Sequence, residues 1–96
     1  MKTISVMLKF YDENEQSKLV KAKVYEPNEK KDKMLAVVEV DDPKYLKDIQ
    51  DAFLITATPD YPVTVIKGDV EVEVGLELEF EEMYVNKSNF KKLLKA

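Results

Sequence analysis

The chain of 96 residues contains no histidine, cysteine, arginine or tryptophan. Without histidine and cysteine it lacks the commonest general base and the commonest thiol nucleophile, so the composition argues against an enzyme. The absence of cysteine also excludes a disulfide framework. Because every basic residue is lysine, no bidentate guanidinium is present to hold phosphates or carboxylates. We expect a non-catalytic protein that uses no cofactor.

Glycine and proline are also scarce, with two and four copies, which leaves no room for a flexible linker. The 45% hydrophobic and 35% charged residues are typical of a globular chain. We therefore predict a single domain over residues 1–96. The sequence has neither a long apolar run nor a signal-peptide pattern, so we expect a cytoplasmic protein with no membrane partner.

The most regular stretch, residues 69–80, alternates acidic and apolar side chains. A strand has a side-chain period of two, so this pattern predicts a half-buried strand with one acidic surface. The parity is unchanged on both sides of Gly75, which predicts a bend or bulge there within one long strand that continues to about Val85. The "acidic face" consists of the five carboxylates of one parity: Asp69, Glu71, Glu73, Glu77 and Glu79.

Three strands are predicted before this stretch, over residues 3–11, 18–26 and 34–40. The first two alternate in polarity, whereas the third is apolar at nearly every position, as in a central strand. Pro27 ends the second strand because proline cannot donate to the ladder.

A helix is predicted from Pro43 to about Leu54, with Asp42 as its cap. A further strand over residues 63–67 leads through a tight Gly68-Asp69 turn into the acidic strand. Ser88 is predicted to cap a short C-terminal helix over 89–96. The predicted core comprises Ile4, Val6, Leu8, Val24, Val38, Leu46, Ile49, Phe53, Val72 and Phe80.

The predicted order is β-β-β-α-β-β followed by a short helix, which is the order of the OB-fold, a small partly open barrel. An acidic strand of about fifteen residues would span roughly 50 Å, longer than a small flat sheet needs. A bend at Gly75 around a barrel accommodates this length. We therefore predict an α+β fold built on a small antiparallel, OB-like barrel. The alternative is a curved antiparallel sheet with one helix packed on it.

Charge is distributed unevenly along the chain. Residues 1–34 carry eight lysines and six acids, a net +2, whereas residues 35–96 carry seven lysines and thirteen acids, a net −6. The acidic face creates a local negative field that favours a basic protein partner. An adaptor, or an inhibitor of phage or mobile-element type that imitates a nucleic-acid backbone, would act in this way. The alternative is that these carboxylates only keep an exposed strand soluble.

A second candidate surface lies on the first two strands. The "lysine–tyrosine face" is formed by five residues predicted to point outward: Lys9, Tyr11, Lys21, Lys23 and Tyr25. Lysines can follow phosphates while tyrosines stack on bases, so this face predicts single-stranded nucleic acid as an alternative partner. A solvated strand face would show the same pattern.

Two short motifs do not predict chemistry. Ser88 and Lys91 have the S-x-x-K spacing of serine acyl-enzymes, but the accompanying S-D-N and K-T-G motifs are absent. Asp12, Asn14 and Gln16 resemble the start of an EF-hand loop, which lacks its glycine and its final glutamate here. We predict neither a catalytic residue nor a metal site.

Overall fold

The computed structural model describes residues 2–27, 35–56, 60–77 and 82–96. These residues form one antiparallel sheet of seven strands in the order β5-β4-β1-β2-β3-β7-β6. The strands are β1 (Thr3–Tyr11), β2 (Ser17–Tyr25), β3 (Leu35–Val40), β4 (Thr64–Lys67), β5 (Val70–Glu73), β6 (Gly75–Glu77) and β7 (Glu82–Asn86). The helical segments are a 3-10 turn (Pro43–Tyr45), α1 (Leu46–Asp51), a π-helical turn (Ala52–Thr56) and α2 (Lys87–Lys95).

The acidic strand joins the two edges of this sheet. β5 pairs with β4 at one edge and β6 pairs with β7 at the other, although only Val74 separates β5 from β6 along the chain. The Val74 N–H donates to the Val63 carbonyl at 2.9 Å. The sheet is therefore a nearly closed barrel, which confirms the predicted small antiparallel barrel rather than the open curved sheet.

The predicted bend at Gly75 is confirmed, since strand pairing changes from one edge of the sheet to the other at this point. The Tyr84 ring lies directly over the glycine: a Cβ atom on Gly75 would stand 2.5 Å from the ring carbon Cζ. Glycine therefore permits the close approach of Tyr84 at the bend.

The predicted continuation of this strand to Val85 is wrong. β7 runs back along β6, with Gly75 opposite Tyr84 and Glu77 opposite Glu82. In the sequence, the apolar positions change from even to odd numbers near Glu82, and the reversal of direction accounts for this change. Residues 78–81, including the predicted core residue Phe80, lie outside the described residues.

Two hairpins have local causes in the sequence. After β1, the Asp12 carboxylate accepts hydrogen bonds from the N–H groups of Asn14 and Gln16, at 2.9 and 3.0 Å, which fixes the loop. Between β4 and β5, Gly68 has φ +58° at the first central position of the two-residue turn. This is the position at which a type II′ turn requires glycine.

The barrel interior is filled by the strand side chains that point inward. Six residues predicted to lie in the core are buried there: Ile4, Val6, Leu8, Val24, Val38 and Val72. Ile49 is also buried, but Phe53 is only half-buried and Leu46 is 40% exposed, contrary to prediction. The reason is that the segment changes from 3-10 to α to π geometry, so its residues do not follow one stripe of period 3.6.

The continuous helical region over residues 43–56 and the helix α2 lie towards opposite ends of the barrel. The first, with its start capped by Asp42 as predicted, approaches the β1–β2 hairpin. α2 packs near the β4–β5 hairpin, where the Lys67 ammonium donates to the Leu93 carbonyl at 3.3 Å. Its cap is Asn86, which accepts from the Asn89 N–H, and not the predicted Ser88. None of the described helices is long and apolar enough to cross a bilayer.

Candidate functional site

The acidic face points outward as predicted, but the bend divides it into two groups. Asp69 lies in the β4–β5 turn and Glu71 and Glu73 lie on β5, all three exposed. Glu77 lies on β6, beside β7, at the other edge of the sheet. Glu79 lies outside the described residues.

The first group is close to a lysine. The Thr64 hydroxyl donates to the Glu71 carboxylate at 2.8 Å, and Thr64 itself lies between Glu73 and Lys9 in the sheet register. The pKa of the Lys9 ammonium is raised by its hydrogen bond to Tyr11, then by the charge of that residue, with a smaller contribution from the Glu71 carboxylate. Lys9 therefore offsets part of the negative field at this end of the face.

The second group consists of opposed carboxylates. Glu77 stands directly opposite Glu82 across the β6–β7 pair, and both side chains point to the outer side of the barrel. Like charges in this position destabilise a sheet. Within the described ranges, the two ion pairs are Lys18–Asp12 at 3.9 Å and Lys44–Asp42 at 3.6 Å, so neither offsets this repulsion. Two carboxylates therefore stand side by side on the outer surface of the β6–β7 pair.

The lysine–tyrosine face lies on the outer side of β1 and β2, as predicted. Its tyrosines stand at opposite ends: Tyr11 is opposite Ser17, whereas Tyr25 is opposite Thr3. Carboxylates border the face on both sides, because Lys23 is opposite Glu39 on β3 and Lys9 is near Glu71. A polyanion on this face would meet both signs of charge.

The Tyr11 ring is part of a cluster that the sequence did not predict. It meets the Tyr61 ring edge-on, with the ring centroids 5.1 Å apart, and the Lys9 ammonium lies 5.3 Å from its centroid. The Tyr61 hydroxyl donates to the Glu15 carboxylate at 3.1 Å. These contacts connect the β1–β2 loop to the residues that precede β4, and the Lys9 ammonium covers a face of the Tyr11 ring that base stacking would need.

The Tyr61–Glu15 contact predicts a late-titrating tyrosine. The hydrogen bond to Glu15, and secondly the charge of that carboxylate, raise the pKa of Tyr61 above its ordinary value of 10.0. The contact therefore stabilises the fold below the unfolded-state pKa, and its contribution is lost as pH rises through the folded-state pKa. Titration followed by tyrosinate absorbance should show one delayed phenol, which Tyr61→Phe removes.

Glu15→Gln is the control for this titration, because it keeps a hydrogen-bond acceptor and removes the charge. We expect the delayed phenol to move towards its ordinary pKa in this variant. A delayed phenol that persists in Tyr61→Phe, or that Glu15→Gln leaves unmoved, would contradict the contact.

A cleft of about 320 Å³ lies between the β1–β2 loop and α1. Of the described residues that line it, four are acidic and one, Lys18, is basic, so this lining is net negative. Among the described residues, no group of acidic side chains is placed to hold a metal ion, and Asp12 instead binds backbone N–H groups of its own loop. The acidic residues that line the cleft are Asp12, Glu13, Asp48 and Asp51.

No protein-family model matches the chain, and neither the curated proteins nor the solved structures contain a match. The fold and its surfaces define a small barrel with two charged outer faces that share a border at Lys9. The function is therefore inferred from the geometry of these faces.

Proposed function

We propose that the protein is a non-catalytic binding module that engages a basic surface of a partner protein through its acidic face. The observation that supports this most directly is the placement of Glu77 opposite Glu82 on the outer side of the barrel. A bound basic surface would relieve the repulsion between these carboxylates. Binding would then be favoured by the same charges that disfavour the free fold.

The position of the acidic strand also supports the proposal. It closes the barrel, so its backbone is held at both edges of the sheet by β4 and β7. Carboxylates on a paired strand lose less conformational freedom on binding than those on a loose loop. They would also steer a basic partner during encounter. An inhibitor that imitates a nucleic-acid backbone is one form that such a module takes.

Single-stranded nucleic acid is the second candidate partner, supported by the exposed Lys21 and Lys23 on the outer face of β2. The neighbouring carboxylates Glu39 and Glu71 oppose it, because they would repel phosphates along the borders of the face. A protein partner is therefore the preferred interpretation.

Neutralising the acidic face tests the proposal. Glutamine at Glu71, Glu73 and Glu77 of the acidic face, and at Glu82 opposite Glu77, keeps side-chain size and removes four charges. With an oligolysine peptide as the probe, we expect association to slow by about an order of magnitude at low salt, because charge steering acts mainly on the on-rate. The difference from the wild type should shrink as salt rises.

A matched control removes four exposed carboxylates elsewhere, at Glu26, Glu39, Asp41 and Asp60. Both variants have the same net charge, so equal slowing in the two would show that total charge, and not the acidic face, governs association. An oligothymidine probe tests the alternative partner. Binding of this probe that is lost in the Lys21→Ala, Lys23→Ala variant would favour nucleic acid instead.

A further inference from the structure

β2 has a backbone edge that the rest of the described chain leaves open. All nine residues of β2 pair with β1, but its pairing with β3 is confined to Ala22, Lys23 and Val24. One more contact follows, from the Asp41 N–H to the Lys21 carbonyl at 3.0 Å. The chain then turns away into the helical segment at Pro43. Within the described ranges, no strand continues this ladder alongside residues 17–20.

The alternation of backbone direction along β2 shows which N–H and C=O groups are available to pair with another strand. Within one strand, the N–H and C=O of a residue point to the same edge, and residues two apart share that edge. Because the Lys21 carbonyl points towards β3, the N–H and C=O of Leu19 point the same way. The Leu19 side chain is 57% exposed on the outer face. A second strand could therefore reach its backbone.

The acidic cleft borders this open edge on the inner side. Lys18 lines the cleft, and the Asp48 and Asp51 carboxylates of α1 face the same space. Successive side chains of an added strand point to alternate faces. One set would enter the cleft, while the other would lie beside Leu19. The cleft favours cations in the first set because its lining is net negative.

We propose that the edge of β2 at Ser17–Val20 binds an extended peptide segment by β-strand addition, with lysine or arginine at alternate positions directed into the acidic cleft. Main-chain hydrogen bonds to Leu19 supply affinity, and the carboxylates supply the preference for basic side chains. This site is separate from the acidic face and does not depend on it.

Hydrogen exchange with a defined peptide tests the site. The probe is a capped hexapeptide that alternates lysine and valine, and the comparison peptide has glutamate in place of lysine. We expect the lysine peptide to slow exchange of the Leu19 amide, while the glutamate peptide has no effect. No protection of Leu19 by the lysine peptide, or equal protection by both peptides, would overturn the proposal.

A proline variant tests the role of the backbone. Leu19→Pro removes the N–H that points away from β1, so the β1–β2 ladder is kept and the open edge is blocked. We expect it to weaken peptide binding about tenfold, through hydrogen bonds that can no longer form. Leu19→Ala is the matched control, because it removes the side chain and keeps the N–H, and it should bind nearly as well as the wild type.

Two further variants make the outcome unambiguous if Leu19→Pro fails to fold. Asp48→Asn with Asp51→Asn should weaken the lysine peptide and reduce its salt dependence. The variant with a neutralised acidic face should still show Leu19 protection. Loss of protection in the second variant and not in the first would assign the peptide to the acidic face and overturn the edge site.

Discussion

Replacing Phe10 by alanine is expected to lower the free energy of unfolding by about 3–5 kcal/mol, the usual cost of truncating a buried phenylalanine. Phe10 is only 1% exposed and is the largest of the fully buried side chains in the described core. It lies on β1, which pairs with both β2 and β4, so the surrounding backbone cannot easily collapse into the cavity. Urea unfolding followed by far-ultraviolet circular dichroism would measure the change.

Phe53→Ala is the matched control, because it removes the same side chain from a half-buried site on the helical segment. The sequence pattern alone places Phe53 in the core and therefore predicts a loss of about 3–5 kcal/mol for this variant. The observed burial predicts a clearly smaller loss at Phe53. Equal losses of stability in the two variants would contradict the deeper burial of Phe10 compared with Phe53.

The barrel was predictable because most of its strands alternate strictly in polarity. The inward residues of β1 and β2 are buried as their parity requires, and Gly68 marks a turn that needs a positive φ. The bend at Gly75 was predicted from the unchanged parity on its two sides. Its other support, the excess length of a straight strand, assumed a strand running to Val85, which the reversal into β7 contradicts.

The reversal after β6 was not predictable from pattern alone. Residues 78–81 read Leu-Glu-Phe-Glu, which continues the acidic–apolar alternation and contains no glycine, proline, asparagine or aspartate to signal a turn. The alternation therefore predicts one continuous strand past the point at which the chain turns back and β7 pairs with β6. Its consequence for the charged surface is large, because this reversal brings Glu82 opposite Glu77.

The surfaces depend on long-range pairing that a single sequence does not encode locally. The acidic and lysine–tyrosine faces were predicted as separate surfaces, yet β1 pairs with β4, which places Lys9 next to Thr64 and close to Glu71. Similarly, the Tyr11–Tyr61 contact joins residues 50 positions apart. The open edge of β2 exists only because β3 leaves the sheet at Asp41.

Leu93→Ala is expected to lower the free energy of unfolding by about 2–5 kcal/mol. Leu93 is a residue of α2, and its side chain is fully buried. Its carbonyl accepts hydrogen bonds from the Lys67 ammonium and from the Ala96 N–H, each at 3.3 Å. A nine-residue helix is too short to persist without docking, so a weakened contact should also loosen α2 itself. Hydrogen exchange of the α2 amides, read beside urea unfolding, would show whether the helix detaches before the barrel unfolds.

Leu94→Ala provides the comparison for this prediction, because the neighbouring leucine is 41% exposed and undergoes the same chemical change. Its loss should be about 0.5 kcal/mol or less, as for most surface substitutions. If α2 is an integral cap of the barrel, Leu93→Ala shifts the whole unfolding transition. If the helix detaches alone, the α2 amides lose protection while those of β1 keep theirs. Equal effects of the two leucine variants would contradict the docking of α2 through Leu93.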